Sequence, residues 1–220
     1  MIEVKNLTLR YGEVTIFKGL SFSLEEGEIL GVEGANGSGK SSLCLCASGL
    51  LDTERDGVFF DGEVLFDGVD IKKMSIKERT ERVGVIFQNP DNQLFSPLVE
   101  EELAFAPENL GVPREEIKAR IAEALELCGV SHLIAAKTNS LSGGEKQLVA
   151  ISAVLAQRPK VIIADEITAR VDIDGKVKVR QILKDFAARG GSVLLVSHNP
   201  RDLEIATKVI ALEKGRDYAN

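Results

Sequence analysis

No stretch of this chain is apolar for long enough to cross a bilayer. The longest apolar run, Leu148 to Ala156, is broken by Ser152 and falls well short of the roughly 20 residues a spanning helix needs. The start, Met1-Ile-Glu-Val, has neither the basic region nor the long apolar run of a signal peptide. A soluble, cytoplasmic protein is expected, with any membrane role exercised through a partner. Positive charge is not in excess: Lys+Arg 27 against Asp+Glu 34 gives a net charge of −7. That excludes a broadly basic nucleic-acid surface, though not a local patch. Cysteine is scarce. Cys44, Cys46 and Cys128 are odd in number and lack metal-site spacing, so they are expected as small buried hydrophobes in a reducing cytosol. Low-complexity segments and long linkers are also missing, and the 220 residues are expected to fold as one domain with a subdomain.

What the chain does contain is organised around Gly34-Ala35-Asn36-Gly37-Ser38-Gly39-Lys40-Ser41, followed by Ser42. The stretch fits G-x-x-x-x-G-K-[ST], the phosphate-binding P-loop. A phosphate chain must exchange its water for other donors. Gly37, Gly39 and Lys40 offer backbone N–H groups with little side chain in the way. Ala47 and Leu50 continue an apolar pattern, so a helix is expected to begin near Gly39 and to present its positive end to the phosphates. Lys40 is placed to reach the β- and γ-phosphates of a nucleotide, and the Ser41 hydroxyl to coordinate Mg²⁺.

Around the loop the pattern alternates between strand and helix. Ile2 to Leu9 alternates apolar and polar, as expected of an exposed-edge strand, and Leu20 to Leu24 does the same. Glu28 to Glu33 is a buried strand leading into the P-loop. Gly57 to Gly62 and Gly62 to Gly68 are near copies and predict a short antiparallel meander turning at glycines. Val83 to Phe87 is a buried strand that ends at Gln88. From Asn89 the character turns helical; Pro113, Gly129 and the stripe Ile117, Ile121, Leu125, Cys128 mark one helix. Val161 to Ala164, Ser192 to Val196 and Lys208 to Leu212 are short β-branched runs, with a helix over about 175–189 between the first two. The pattern predicts an α/β fold with a mainly parallel, doubly covered sheet.

Two further stretches carry chemistry. Val161-Ile-Ile-Ala-Asp165-Glu166 is an apolar strand ending in adjacent carboxylates. Asp165 can join the Mg²⁺ shell while Glu166 faces the space beyond the γ-phosphate, as phosphoryl transfer to water requires. A solvated strand end is the alternative, and the P-loop weighs against it. Leu141-Ser142-Gly143-Gly144-Glu-Lys-Gln147 places a hydroxyl and two glycines at the start of an apolar helix. This is a second anion-ready helix N-terminus. One nucleotide needs only one such cradle from its own subunit, so this one is expected to cap the γ-phosphate bound by a second copy. The plainer alternative is a capped helix with a flexible start.

The chain resembles an ATP-binding cassette (ABC) ATPase over essentially its whole length, and Leu141 to Gln147 matches that family's signature sequence. The resemblance implies a P-loop NTPase (RecA-like) core with an N-terminal antiparallel β subdomain and an inserted α-helical subdomain. Residues 1–88 and 158–220 would form the core and residues 89–157 the helical insertion. It further implies that Tyr11 stacks on adenine, that Gln88 touches Mg²⁺ and the attacking water, and that His198 is the switch histidine. His132 has no such context and is expected on the surface. Asp172 matches the loop that communicates between the two ATP sites of a head-to-tail dimer.

Phe87 to Phe95 and Val99 to Gly111 are similar to the ATPase subunits of energy-coupling factor transporters and their cobalt/nickel relatives. Those import vitamins or transition metals through a membrane scaffold and a substrate-binding membrane protein. The implied partners are therefore a second ABC ATPase subunit, identical or not, and those membrane proteins, with no nucleic acid. Two other readings compete: a soluble ABC ATPase acting on a protein partner, and a non-hydrolysing nucleotide switch. Leu94 and Phe95 lie among polar residues and are expected to form a partner-docking patch; burial of both in the subdomain core is the alternative. Ile167 and Ala169 replace a proline and a serine usual in the family, which raises the expectation of unequal sites. The chain stops soon after Leu212, so the dimer is expected to rest on nucleotide and partner contacts.

Overall fold

The computed structural model describes residues 1–54 and 57–219. The chain opens with an antiparallel pair, β1 (Ile2–Tyr11) and β2 (Val14–Leu24), and enters β3 (Ile29–Glu33) and helix α1 (Lys40–Ser48). Strands β4 (Val58–Phe66) and β5 (Val69–Asp70) precede α2 (Ile76–Arg82) and β6 (Val83–Ile86). Helices α3 (Val99–Leu110), α4 (Arg114–Cys128) and α5 (Gly143–Gln157) follow. Strand β7 (Val161–Asp165), α6 (Ile173–Ala188), β8 (Ser192–Val196), the short α7 (Pro200–Leu203) and β9 (Lys208–Ala211) complete the order.

The strands make two sheets: antiparallel β2-β1-β4-β5 and parallel β6-β7-β8-β3-β9. Every residue of β7 and β8 is buried, because both faces of the parallel sheet are covered. The strand period of two divides its side chains between two cores. Val161, Ile163, Leu194 and Val196 pack with α1 and the antiparallel sheet, whereas Ile162, Ala164, Val193 and Leu195 pack with α3 to α6. The α4 stripe Ile117, Ile121, Leu125 and Cys128 is buried as the sequence predicts, between Pro113 and a left-handed Gly129. All three cysteines are buried and free, and His132 is exposed.

Two expectations are corrected. Strand β1 is not an edge but lies between β2 and β4; alternation reports which face is buried, not a strand's place across the sheet. The glycine-flanked copies at 57–68 are not two strands. Strand β4 runs unbroken through Gly62, which sits at φ +98 opposite a register shift between Lys5 and Thr8. A Cβ at Gly62 would lie 2.7 Å from the carbonyl oxygens of Lys5 and Asn6. Glycine here serves a bulge and not a turn.

Candidate nucleotide site

The loop between β3 and α1 is built for an anion. Gly37 and Gly39 have φ +77 and +101, open to glycine without strain. Gly39 stands at the N-cap of α1 and supplies no side-chain cap. The first-turn N–H groups of the helix are thereby left for a ligand. Lys40 is only 7% exposed and is held by its own loop: its Nζ donates to the Gly34 carbonyl at 2.8 Å and the Ala35 carbonyl at 3.1 Å. Ser38 donates its N–H to the Ala35 carbonyl, while its hydroxyl is buried without a partner among the described residues. Tyr11, at the end of β1, brings its hydroxyl within 3.5 Å of Ser42 Oγ and remains 36% exposed.

Glu166 follows the last residue of β7 and adopts φ +52, an uncommon conformation for a non-glycine residue and one that clusters at functional sites. Its N–H donates to the Val196 carbonyl of β8 at 2.9 Å. One carboxylate oxygen lies 3.7 Å from Lys40 Nζ, and the other contacts His198 Nδ1. Glu166 is buried while the His198 ring is largely exposed. A cavity of about 350 Å³ gathers Lys40, Ser41, Ser42, Gln88, Glu166 and His198, together with Asn36, Gly37 and Gly39. Gly34, Ala35 and Ser38 line the adjoining recess. Residues far apart in sequence thus meet around one phosphate-sized space.

Asp165 lies at the end of β7 beside the Ser41 hydroxyl. Burial pushes its carboxyl above the ordinary range and the Glu166 charge adds to the push, against the pull of Ser41 and Lys40. Its Oδ1 is buried with no hydrogen-bond partner among the described residues. A buried carboxylate oxygen left unpaired beside a hydroxyl and a phosphate cradle fits a magnesium ion, which takes one or two protein oxygens plus phosphates and waters.

The signature stretch lies elsewhere: Ser142, Gly143 and Gly144 do not line that cavity, and neither does Asp172. Ser142 caps α5 in a reciprocal box with Glu145, its Oγ donating at 2.7 Å and its N–H at 2.8 Å to the same carboxylate oxygen. Asp172 caps α6 by accepting the Gly175 N–H at 2.7 Å. The loop after β6 divides the expected docking pair. Leu94 is half-buried against the helical core, whereas Phe95 is 63% exposed and meets Phe105 edge-on at 4.6 Å. Three sets of contacts in this region escaped the sequence reading. Gln147 Nε2 donates to the Phe87 carbonyl, Lys146 pairs with Asp91 at 2.6 Å, and buried Glu102 accepts the N–H groups of Phe95 and Ser96. Only the capping-box spacing of Ser142 and Glu145 could have been read locally.

A P-loop after β3 of a parallel sheet, with Asp165 and Glu166 at the end of β7 two strands away across β8, defines a nucleoside-triphosphate-binding protein. The family model described as "ABC transporter" matches residues 17–169, and the chain belongs to that family. It is 40% identical over 200 residues to the energy-coupling factor transporter ATP-binding protein EcfA of Methanosphaera stadtmanae, covering 90% of this chain and 70% of that one. It is 39% identical to EcfA of Methanocaldococcus jannaschii, covering 98% and 77%. Among solved structures, cbiO1 of Clostridium perfringens, part of the ABC transporter complex cbiONQ, superposes with a TM-score of 0.80 at 32% identity, covering 98% and 85%. The ATP-binding cassette MJ0796, as a dimer in a post-hydrolysis state with ADP and Pi, superposes with a TM-score of 0.87 at 27% identity, covering 98% and 97%. The protein is an ATP-hydrolysing subunit of the ABC class. Among the described residues no helix is long and apolar enough to cross a membrane.

Proposed function

We propose that the protein binds and hydrolyses ATP as one half of a head-to-tail dimer and so drives import through membrane partners of the energy-coupling factor type. The observation that carries the enzymatic part is the convergence of Lys40, Glu166 and His198 on one cavity beside the P-loop. The transport part rests on the kinship with energy-coupling factor ATP-binding proteins. The P-loop N–H groups and Lys40 hold the phosphates, and Tyr11 stacks on the adenine. Ser41, Asp165 and Gln88 would hold a magnesium ion, whose charge would offset that of the phosphates. Glu166 takes the proton of the attacking water as general base. His198 fixes the Glu166 carboxylate from the far side and reaches towards the γ-phosphate.

Ser142, Gly143 and Gly144 serve the partner's nucleotide, and Asp172 lies in the loop that joins the two sites. Their absence from their own chain's cavity supports this assignment. The division of labour explains why a single chain carries two anion-ready helix ends. The contact of Glu166 with His198 weighs against a non-hydrolysing switch. On this reading the protein sits peripherally at the cytoplasmic face of a membrane, docked through the surface around Phe95. The cargo, a vitamin or a transition-metal ion, is selected by another polypeptide.

The test is purification from solubilised membranes with identification of partners by mass, followed by ATP-dependent uptake in vesicles. Co-purification with membrane subunits and uptake that stops with Glu166→Gln is the expected result. A protein that hydrolyses ATP yet is recovered only with soluble partners refutes the transport assignment.

A further inference from the structure

Outside the lining of the cavity lies a buried carboxylate that the proposed mechanism does not use. Asp202, on the short helix α7, is 1% exposed. One of its oxygens accepts a hydrogen bond from the Thr168 hydroxyl at 2.5 Å and another from the Ser197 hydroxyl at 3.0 Å. The other oxygen pairs with Arg180 of α6 at 2.8 Å. Thr168 and Ser197 are themselves 5% and 2% exposed. A carboxylate withdrawn from water in this way is costly unless every oxygen is used, and an apolar side chain would fill the same space at less cost. The selection of a charge here calls for more than packing.

The partners of Asp202 show what the charge does. Thr168 stands two residues beyond Glu166, and Ser197 immediately precedes His198. Glu166 sits at φ +52, a conformation that persists only when its surroundings over-determine it. On one side of it, its own N–H is tied to Val196 of β8; on the other, Thr168 is tied to Asp202. His198 rides on a tight turn whose ends are closed by the Asn199 N–H donating to Ser197 Oγ at 3.1 Å. That same hydroxyl donates to Asp202. One carboxylate oxygen therefore joins the loop after β7 to the loop after β8, and Arg180 anchors the junction to α6.

We propose that Asp202 is a positioning residue whose buried carboxylate fixes the spacing between the loop carrying Glu166 and the loop carrying His198. The inference rests on the roles assigned above to Glu166 and His198. Asp202 itself does not line the nucleotide cavity. Its loss should therefore cost turnover and leave ATP binding in place.

The test is steady-state ATP hydrolysis and thermal unfolding of the intact protein carrying Thr168→Val, Thr168→Ser, Asp202→Asn or both Thr168→Val and Asp202→Asn, with Glu166→Gln as reference. Thr168→Val keeps the shape and removes the hydroxyl; the expected result is a kcat lowered about ten- to a hundred-fold, the cost of a misplacement near 1 Å. KM for ATP stays within about three-fold of the parent, since the binding groups are untouched. Thr168→Ser, which restores the hydroxyl, recovers kcat to within about three-fold. The double variant is no slower than the worse single one, as expected of groups acting as one unit. If Asp202→Asn fails to fold, the Thr168 pair decides alone. A normal kcat in Thr168→Val alongside an inactive Glu166→Gln overturns the positioning role while sparing the assignment of Glu166. Parallel loss of kcat, ATP binding and Tm, without rescue by serine, overturns it too, because a purely structural bond behaves in that way. Normal turnover in Glu166→Gln strikes instead at the general base, and the inference falls with it.

Discussion

Replacing Glu166 by glutamine should do two things of opposite sense: tighten ATP binding and nearly stop hydrolysis. Lys40 is shared among the Gly34 and Ala35 carbonyls and the Glu166 carboxylate, the last 3.7 Å away. At that distance and an effective dielectric near 20, the gross attraction is about 4–5 kcal/mol. Desolvation of two buried ions cancels most of it, leaving about 1–2 kcal/mol that ATP must overcome to engage Lys40. The glutamine variant removes this competitor and also the negative charge facing the γ-phosphate. Affinity should rise by about five- to thirty-fold. Hydrolysis should fall by about 10²–10⁴-fold, the usual worth of a general base. Displacement of a fluorescent nucleotide measures the first effect, and single-turnover hydrolysis at saturating Mg·ATP the second. Unchanged affinity would refute the competition for Lys40, and turnover within about three-fold of the parent would remove Glu166 from the base role.

Lys40→Ala should lose tight ATP binding, because the phosphates lose their main cation, whereas Ser142→Arg should bind ATP as a monomer yet neither dimerise nor hydrolyse it. A mixture of the two retains one composite site with both cradles intact, so partial activity on mixing is expected; full activity of Ser142→Arg alone would show that one chain suffices. Leu94→Ser should lower stability by about 1–2 kcal/mol, roughly half the usual cost of a core truncation. Phe95→Ser should cost about 1 kcal/mol or less through its lost contact with Phe105, while abolishing assembly with membrane partners and uptake; normal uptake in Phe95→Ser would exclude it from docking. Burial pushes the Cys46 thiol up to about 12 and the Cys128 thiol up to about 11, and raises Cys44 as well. No cysteine should therefore react with a thiol reagent at pH 8 until the protein is unfolded, and rapid labelling of the native protein would contradict that burial.

The parts of the site that were legible in the sequence are those whose chemistry is local. Gly34 to Ser41 needs its glycines, lysine and serine at fixed offsets on one loop, so the motif appears as text. Glu166 and Asp165 are marked by the apolar strand before them, and α4 by its stripe between Pro113 and Gly129. What could not be read is lateral. The order β6-β7-β8-β3-β9 depends on which crossover lands beside which strand, and the alternation in β1 is the same at an edge or inside the sheet. Gly62 has the same sequence signature in a bulge as in a turn. Asp202 is the clearest case: a lone aspartate in a short helical turn has no local pattern, and its importance comes from two hydroxyls 34 and 5 residues away in the chain.

On the function proposed above, the same lateral contacts give events at the γ-phosphate a way out of the site. Gln88 lines the cavity, and the residue before it, Phe87, is held at both ends of its peptide. Its N–H donates to Gln93 of its own loop at 3.1 Å, while its carbonyl accepts from Gln147 of α5. Asp91, three residues after Gln88, pairs with Lys146 of the same helix. The loop after β6 is thus fastened to the first turns of α5, directly behind the Ser142 cap that the proposed dimer turns towards its partner. Its far end is fastened to α3, where buried Glu102 accepts the N–H groups of Phe95 and Ser96. A shift of Gln88 when the γ-phosphate departs would therefore act in two directions through bonded groups. It would pull on the helix that serves the partner's nucleotide and on the exposed Phe95–Phe105 pair. Coupling of this kind needs an element with two arrangements that both sites can bias, and the 87–95 loop is placed to be that element. Its backbone is held chiefly by single turns such as Leu94 N–H to the Pro90 carbonyl, not by a sheet ladder, so it can move without unzipping the core on which the P-loop stands.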